Sequence, residues 1–204
     1  MNEDEARLWV RASFDVSRET RLAEFAGLVI EENLRQNLIA PSTVDELWSR
    51  HIVDSAQLLS LAGDQTGPWL DIGTGGGFPG LVIACLREEP IVLCEPRRRR
   101  VEFLRQTAER LSLDHVRVEQ CRVESLPVEI FSVISARAVA ALPVLFESAR
   151  HVSDRATTWL LPKGKTAREE VVGARKTWHG TFHVEHSLTQ SDSLIVVARG
   201  VARK

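Results

Sequence analysis

The chain reads as an α/β protein: a mostly parallel sheet with helices on both faces, preceded by a helical segment and closed by an antiparallel hairpin. Three observations predict this. From Trp69 onward, short apolar runs alternate with stretches of helical periodicity, the pattern of βα units that pack as a parallel sheet between helices. One junction, residues 73–77, is a glycine-rich turn leading from a strand into a helix. Near the C-terminus, the alternating Phe182, Val184, His186 and Leu188 and the apolar run 194–198 flank the turn Ser191-Asp192-Ser193; strands joined by so short a turn must be antiparallel.

The elements follow in order. Leu22, Phe25, Ala26 and Val29 recur at helical spacing between Glu19 and Asn33. A break at Ala40-Pro41 precedes Thr43-x-x-Glu46, read as a capping box that opens a helix through Leu47, Ile52 and Leu59. The turn-rich stretch 62–68 marks the boundary between a helical cap, residues 1–62, and a core, residues 63–204, expected to pack as one unit. Strands are expected at 69–72, 91–94, 116–123, 131–135 and 157–161. Pro79 suits the first position of a helix running to about Arg87, because its missing N–H would be unpaired there anyway. Helices are also expected after Pro96, over 142–152, and from the second box Thr166-x-x-Glu169 to near Gly180.

Composition excludes several classes. At 204 residues and 44 % hydrophobic content, the chain suits a globular domain with a sizeable core. Cys85, Cys94 and Cys121 form no CxxC pair, and their odd number implies no disulfide framework. The N-terminus is acidic and polar rather than signal-like, and no apolar stretch reaches membrane-spanning length, so the cytoplasm is the expected compartment. The net charge of −2 does not announce a nucleic-acid partner. The run Arg97-Arg98-Arg99-Arg100 nevertheless places a basic face on a mildly acidic body. His183 and His186, three apart on a strand, point to opposite faces, and no metal is expected. Trp159 and Trp178 read as core or interface rather than base-stacking platforms.

The chemistry concentrates in Asp71-Ile72-Gly73-Thr74-Gly75-Gly76-Gly77-Phe78-Pro79-Gly80. Glycines let backbone approach a ligand closely, and the following helix presents unpaired N–H groups. Glu95 ends the next strand, where a carboxylate can hold two ribose hydroxyls. A nucleoside cofactor is implied. Gly75-x-Gly77-x-x-Gly80 also satisfies a dinucleotide pattern. Against NAD, the first glycine of that match comes four residues after Asp71, and Pro79 removes an N–H that a pyrophosphate would want. An S-adenosylmethionine site has no phosphate to bind and fits better.

These ten residues resemble the signature of bacterial 16S rRNA guanine-N7 methyltransferases, the glucose-inhibited division protein B family; the Phe-Pro-Gly ending separates them from most other methyltransferases. Asn37-Leu38-Ile39, Arg50-His51-Ile52-Val53-Asp54-Ser55, Arg122-Val123-Glu124, residues 133–138 and Leu161-Pro162-Lys163-Gly164 also resemble elements of that family. The resemblance spans about residues 20–200. It implies a class I S-adenosylmethionine-dependent methyltransferase fold: a mostly parallel seven-stranded sheet with a C-terminal antiparallel hairpin, plus the N-terminal helical cap. It implies methyl transfer to N7 of guanine 527, with 16S rRNA or the small ribosomal subunit as partner; no membrane, no metal and a single chain as the unit are expected besides. It further implies cofactor contacts at Gly73 and Phe78, at Val123 and Glu124 beside the adenine, and at Arg137 near the cleft. Together with Asp71, Gly75, Gly77 and Glu95, these form the expected cofactor set.

Guanine N7 carries an in-plane lone pair and no proton, so no general base is required; orientation is the catalytic problem. Arg137, Lys163 and Asp71 are the candidates for positioning. Arg97, Arg98, Arg99, Arg100, Arg50, His51, Lys163 and Lys165 are the candidates for RNA contact. For Arg50, His51 and Asp54, a mutual structural clamp and a role docking the cap onto the cleft both remain open, with the resemblance favouring the cleft. A small-molecule methyltransferase, a non-catalytic RNA-binding protein and an NAD dehydrogenase are the rival readings.

Overall fold

A computed structural model describes residues 1–190 and 192–204. Seven strands form a single sheet: β1 (Trp69–Ile72), β2 (Ile91–Cys94), β3 (Val116–Glu119), β4 (Val133–Ala136), β5 (Thr158–Pro162), β6 (Trp178–His186) and β7 (Leu194–Arg203). Their order is β3-β2-β1-β4-β5-β7-β6. The first five are parallel, whereas β7 runs antiparallel to both β5 and β6. The chain builds outward from β1 to β2 and β3, then returns to place β4 on the other side of β1. Ligands of such sheets bind beyond the strand ends at this reversal.

Alternation along the strands divides the core. Trp69, Ile91, Leu93, Val133 and Leu160 face one side; Leu70, Ile72, Val92, Ile134 and Trp159 face the other. On the first side pack α1 (Glu3–Ser13), α2 (Val16–Asn33), α3 (Asp54–Ala56), α4 (Leu58–Ala62), α5 (Gly80–Leu86) and α6 (Arg98–Arg110). On the second pack α7 (Leu142–Ser148) and α8 (Ala167–Ala174). Trp159 and Trp178 are both buried there, with Phe146 edge-on to each ring.

Several local expectations are corrected. Helix α1 was not foreseen; Asn2 and Glu5 form a reciprocal capping box at its start, and it buries Ala6 and Val10. Thr43-x-x-Glu46 is not an N-cap. Pro41 starts a 3-10 run two residues earlier, so Thr43 lies inside the turn and its hydroxyl donates to the Ala40 carbonyl. The helix beyond it is not uniform: residues 48–53 form a π-helical turn before α3 and α4. Pro79 is the N-cap of α5 rather than its first residue. Strand β3 stops at Glu119, and Val123 belongs to a 3-10 turn. The helix expected over 142–152 gives way to a 3-10 turn at Arg150. Thr166 adopts helical backbone and does not cap; its hydroxyl reaches Glu170 instead, at 3.2 Å. Helix α8 ends at Ala174, and residues 178–180, expected to be helical, open β6, where Trp178 reaches the core. Ser191 of the expected turn lies outside the described residues.

Glycine at position 80 is a packing requirement. A β-carbon there would stand 2.3 Å from Leu93 Cδ2 and 2.7 Å from both Asp71 Oδ2 and Thr74 Oγ1, all inside the fixed junction of β1, β2 and α5. Gly80→Ala should therefore destabilise the protein by about 1–3 kcal/mol, as overpacked core sites do, in chemical denaturation. A parent-like midpoint would contradict this packing.

Candidate cofactor and substrate cleft

The site grows from Asp71, the third residue of β1. Its carboxylate is fully buried, yet every donor near it is used. Oδ2 accepts the Thr74 hydroxyl and, at 2.9 Å, the Gly80 amide; Oδ1 accepts the Ser135 hydroxyl at 2.7 Å. Burial pushes its pKa up to about 6, while Thr74, Ser135, Gly80 and more distantly Arg137 pull the other way. The carboxylate thus ties the glycine loop to β1, α5 and β4. It does not open into a cavity as a ligand contact would.

Beyond the loop lies a cavity of about 420 Å³, with Gly73, Glu95, Arg100, Arg122, Val123 and Glu124 among its walls. Glu95 is 3 % exposed; its Oε2 accepts the Gly75 amide at 3.1 Å and its Oε1 the Arg97 amide at 2.9 Å. A carboxylate has about four acceptor sites, so capacity for two sugar hydroxyls remains. It also places negative charge at the start of α6, offsetting the arginines there. Gly73 holds φ +66°, and a β-carbon would meet Val139 Cγ2 at 2.7 Å. The cavity wall is therefore bare backbone on one side and the 44 % exposed Val139 on the other. A carboxylate at the second strand end, close glycine backbone and an apolar lid suit an adenosine with an amino-acid tail.

Arg137, following β4, does not line this cavity. It borders a neighbouring one of about 460 Å³ that also contains Lys163 and Glu170, and the two cavities share the wall Ala138-Val139-Ala140. Ala138 adopts φ +57°, a conformation a side chain disfavours, which turns the chain sharply between the two spaces. Arg137 is held on several sides. Nη2 lies 3.0 Å from His51 Nδ1, Nη1 lies 3.5 Å from Asp54 Oδ2, and its guanidinium sits 5.3 Å from the Phe78 ring centroid. His51 Nε2 in turn pairs with Thr43 Oγ1 at 2.9 Å. Burial above all, then the charges of Arg137 and Arg50, push the His51 pKa down to about 3. A neutral imidazole can accept from Arg137 through Nδ1 while donating to Thr43 through Nε2. Burial also works against the charge of Arg137, which Asp54 and Asp71 support.

Within residues 50–54, the contacts run outward from the segment. His51 and Asp54 do not pair with each other; both converge on Arg137 at the end of β4. Arg50 points away to Glu46 at 3.1 Å, although its carbonyl lies 3.4 Å from Arg137 Nη1. Phe78 is buried beneath Arg137 and His51, and Gly77 packs against Phe25 and Leu81.

The basic candidates separate. Arg97 and Arg99 are exposed, with Arg99 donating to the Arg35 carbonyl. Arg98 is paired with Glu102 at 2.8 Å. Arg100 turns inward, bonding the Asn37 carbonyl at 3.2 Å beside Glu95. Lys163 is held by Glu170 at 3.0 Å and by the Ala140 carbonyl, and the exposed Lys165 pairs with Asp192. Thr43, read from the sequence as a helix cap, and Glu170, which carries no local signal, were not foreseen as partners of His51 and Lys163. Among the described residues, no group of three or more His, Cys, Asp or Glu side chains is placed to hold a metal, and no helix is long and apolar enough to cross a membrane.

Solved structures with this architecture include an O-methyltransferase from Bacillus cereus in complex with SAH (TM-score 0.61, 17 % identity, covering 94 % of this chain and 96 % of that one). Another is the glycopeptide N-methyltransferase MtfA complexed with sinefungin (TM-score 0.60, 11 % identity, covering 72 % and 85 %). At such identities the likeness speaks for the fold. The sequence is 42 % identical to a ribosomal RNA small subunit methyltransferase G from Erythrobacter litoralis, over 98 % of both chains. It is 44 % identical to one from Sphingopyxis alaskensis, over 98 % of this chain and 87 % of that one. The family model for rRNA small subunit methyltransferase G matches residues 18–196, and the chain belongs to that family.

Proposed function

We propose that the chain transfers the methyl group of S-adenosylmethionine to N7 of guanine 527 in 16S rRNA. That it is an S-adenosylmethionine-dependent rRNA methyltransferase follows from its family; the base and atom are the finer reading. The observation that carries it is the common wall, Ala138 to Ala140, between the cavity fitted to a nucleoside and the cavity holding Arg137 and Lys163. Two cavities that border one another at these residues can bring their occupants edge to edge, which direct displacement demands. Residues 1–62 act in this reading as a cap on the cleft and 63–204 as the methyl-transferring core. The compartment is the cytoplasm and the working unit one chain.

When bound, S-adenosylmethionine supplies an electrophilic methyl on a sulfonium. Glu95 holds the ribose, the Gly73 backbone approaches the cofactor closely, and Val123 and Glu124 flank the adenine. Asp71, Gly75 and Gly77 hold the loop in shape from beneath. Arg137 presents a guanidinium whose direction His51, Asp54 and Phe78 set. Arginine pairing with both O6 and N7 of guanine would block the attacking lone pair, so Arg137 contacts O6 or a phosphate. Lys163 spends donors on Glu170 and Ala140 and completes the cavity wall. No side chain need take a proton from N7. Arg97 and Arg99 meet RNA phosphates, with Arg98, Arg50 and Lys165 at the margin because each is paired internally.

Methyl transfer from labelled S-adenosylmethionine to small-subunit RNA from a strain lacking this gene should modify one guanine at N7, located by mapping the modified base. Modification of another atom or base would reject the finer reading. Replacing Arg97 and Arg99 together by alanine should reduce the slope of log affinity against log salt by about 1–2, the loss of two phosphate contacts; an unchanged slope would remove them from the interface. His51 should stay neutral in the folded protein down to about pH 4, as read from its imidazole nitrogen shifts. Because its pKa is about 3 against the ordinary 6.5, only the unfolded chain takes up a proton between those values. Its contribution to stability is therefore lost as pH falls through that window. Titration of the folded imidazole near 6.5 would contradict the buried geometry.

A further inference from the structure

Helix α1 precedes the residues matched by the family model, yet it contacts the turn that carries His51. The carboxylate of Glu3, in its first turn, accepts the amides of Trp48 through Oε2 and Ser49 through Oε1, both at 2.8 Å. These amides open the π-helical turn 48–53. Helix starts leave amides without intrahelical partners, and π-turns occur mostly as single turns at functional sites. A bidentate carboxylate fixes both the height and the rotation of such a turn, and its bonds are charge-assisted.

Helix α1 is itself anchored. Arg7 and Arg11 each approach the buried Glu19 of α2 to 2.9 Å, and together they hold its carboxyl below the usual range. The Arg7 guanidinium also lies 4.9 Å from the Trp48 ring centroid, so α1 grips Trp48 by amide and by ring. Two residues after Ser49 stands His51, the acceptor beside Arg137, and three further on Asp54, its ion partner. Rotation of the π-turn would move both.

We propose that Glu3 is a positioning residue for methyl transfer, acting through the π-helical turn and His51 on Arg137. The proposal rests on the reading of Arg137 as the arginine that orients the substrate. A simple staple of α1 would affect the whole protein, whereas a positioning role must run through Arg137.

The test is a double-mutant cycle with single-turnover methyl transfer to small subunits from a strain lacking the gene. Glu3→Ala should slow transfer roughly ten- to hundredfold, the scale of a small misplacement in an oriented site. Its affinity for S-adenosylhomocysteine by calorimetry should stay within about twofold, because the cofactor cavity is built from other elements. Glu3→Gln, which keeps one acceptor oxygen, should fall between parent and Glu3→Ala, and it carries the cycle if Glu3→Ala does not fold. In an Arg137→Ala background the Glu3 change should slow transfer no further. An equal slowing in both backgrounds, cofactor affinity lost in step with rate, or a full parent rate would each overturn the proposal. Full activity of Arg137→Ala alone would overturn the underlying reading, a distinct arm of the same cycle.

Discussion

The buried carboxylate of Asp71 is the constraint on which the cleft depends. One ionisable group, surrounded by three donors and no water-facing surface, connects β1, the glycine loop, the start of α5 and β4. Ser135, which donates to it, also accepts the Trp69 indole N–H at 2.9 Å, so the tie extends into the core. A buried carboxylate stripped of such partners is costly, and bonds to charged groups contribute about 1.5–3 kcal/mol each. The loop therefore has one strongly favoured shape. That shape aims the Gly75 amide at Glu95 and leaves Gly73 as bare backbone facing the cofactor cavity.

A second layer of ordering comes from the cap. Leu38 packs where a β-carbon on Gly76 would stand, 2.9 Å away. Asn33 Oδ1 accepts the amides of Leu38 and Ile39, fixing the segment that also receives Arg100. His51 from the π-turn and Asp54 from the start of α3 then reach Arg137. The cavity beside the glycine loop thus has walls built by the sheet, and Arg137 in the neighbouring cavity is held by residues more than eighty positions away in sequence. The neutral state of His51 matters here: a protonated ring would repel Arg137, while a neutral one accepts from it.

The order of the strands, with β4 returning beside β1, was not legible, whereas the strands of the sheet were, because apolar runs and glycine punctuation are local signals. Seven strands, the parallel core and the terminal hairpin follow from them, and the resemblance carried the sequence to its family. The place of Glu95 after β2, at the wall of a cavity, was legible from the apolar run before it. Asp71 was identified as important, but its role differs in kind: spacing cannot reveal that Thr74, Ser135 and Gly80 converge on it from three elements. The four arginines looked equivalent as a run, yet a helix turns successive side chains through different directions, so Arg100 faces the cleft and Arg98 faces Glu102. Helix α1 was overlooked because acidic residues at its start were read as charge alone, although Asn2-x-x-Glu5 is a capping signal. The two threonine boxes misled because Pro41 and Gly164 already begin tighter turns upstream. The π-turn has no signature in residue type; Glu3 holds its first two amides and Arg137 lies against His51 within it.

The central claim is that the Asp71 carboxylate holds the cofactor loop in its binding shape without touching the ligand. Calorimetry of S-adenosylhomocysteine binding to Asp71→Asn tests it most directly, since the amide presents a donor where Thr74, Gly80 or Ser135 already donates. The account predicts affinity lower by roughly ten- to hundredfold, the worth of one such bond to a charged group, with Ser135→Ala falling in the same direction by less. Parent-like affinity in Asp71→Asn would contradict it.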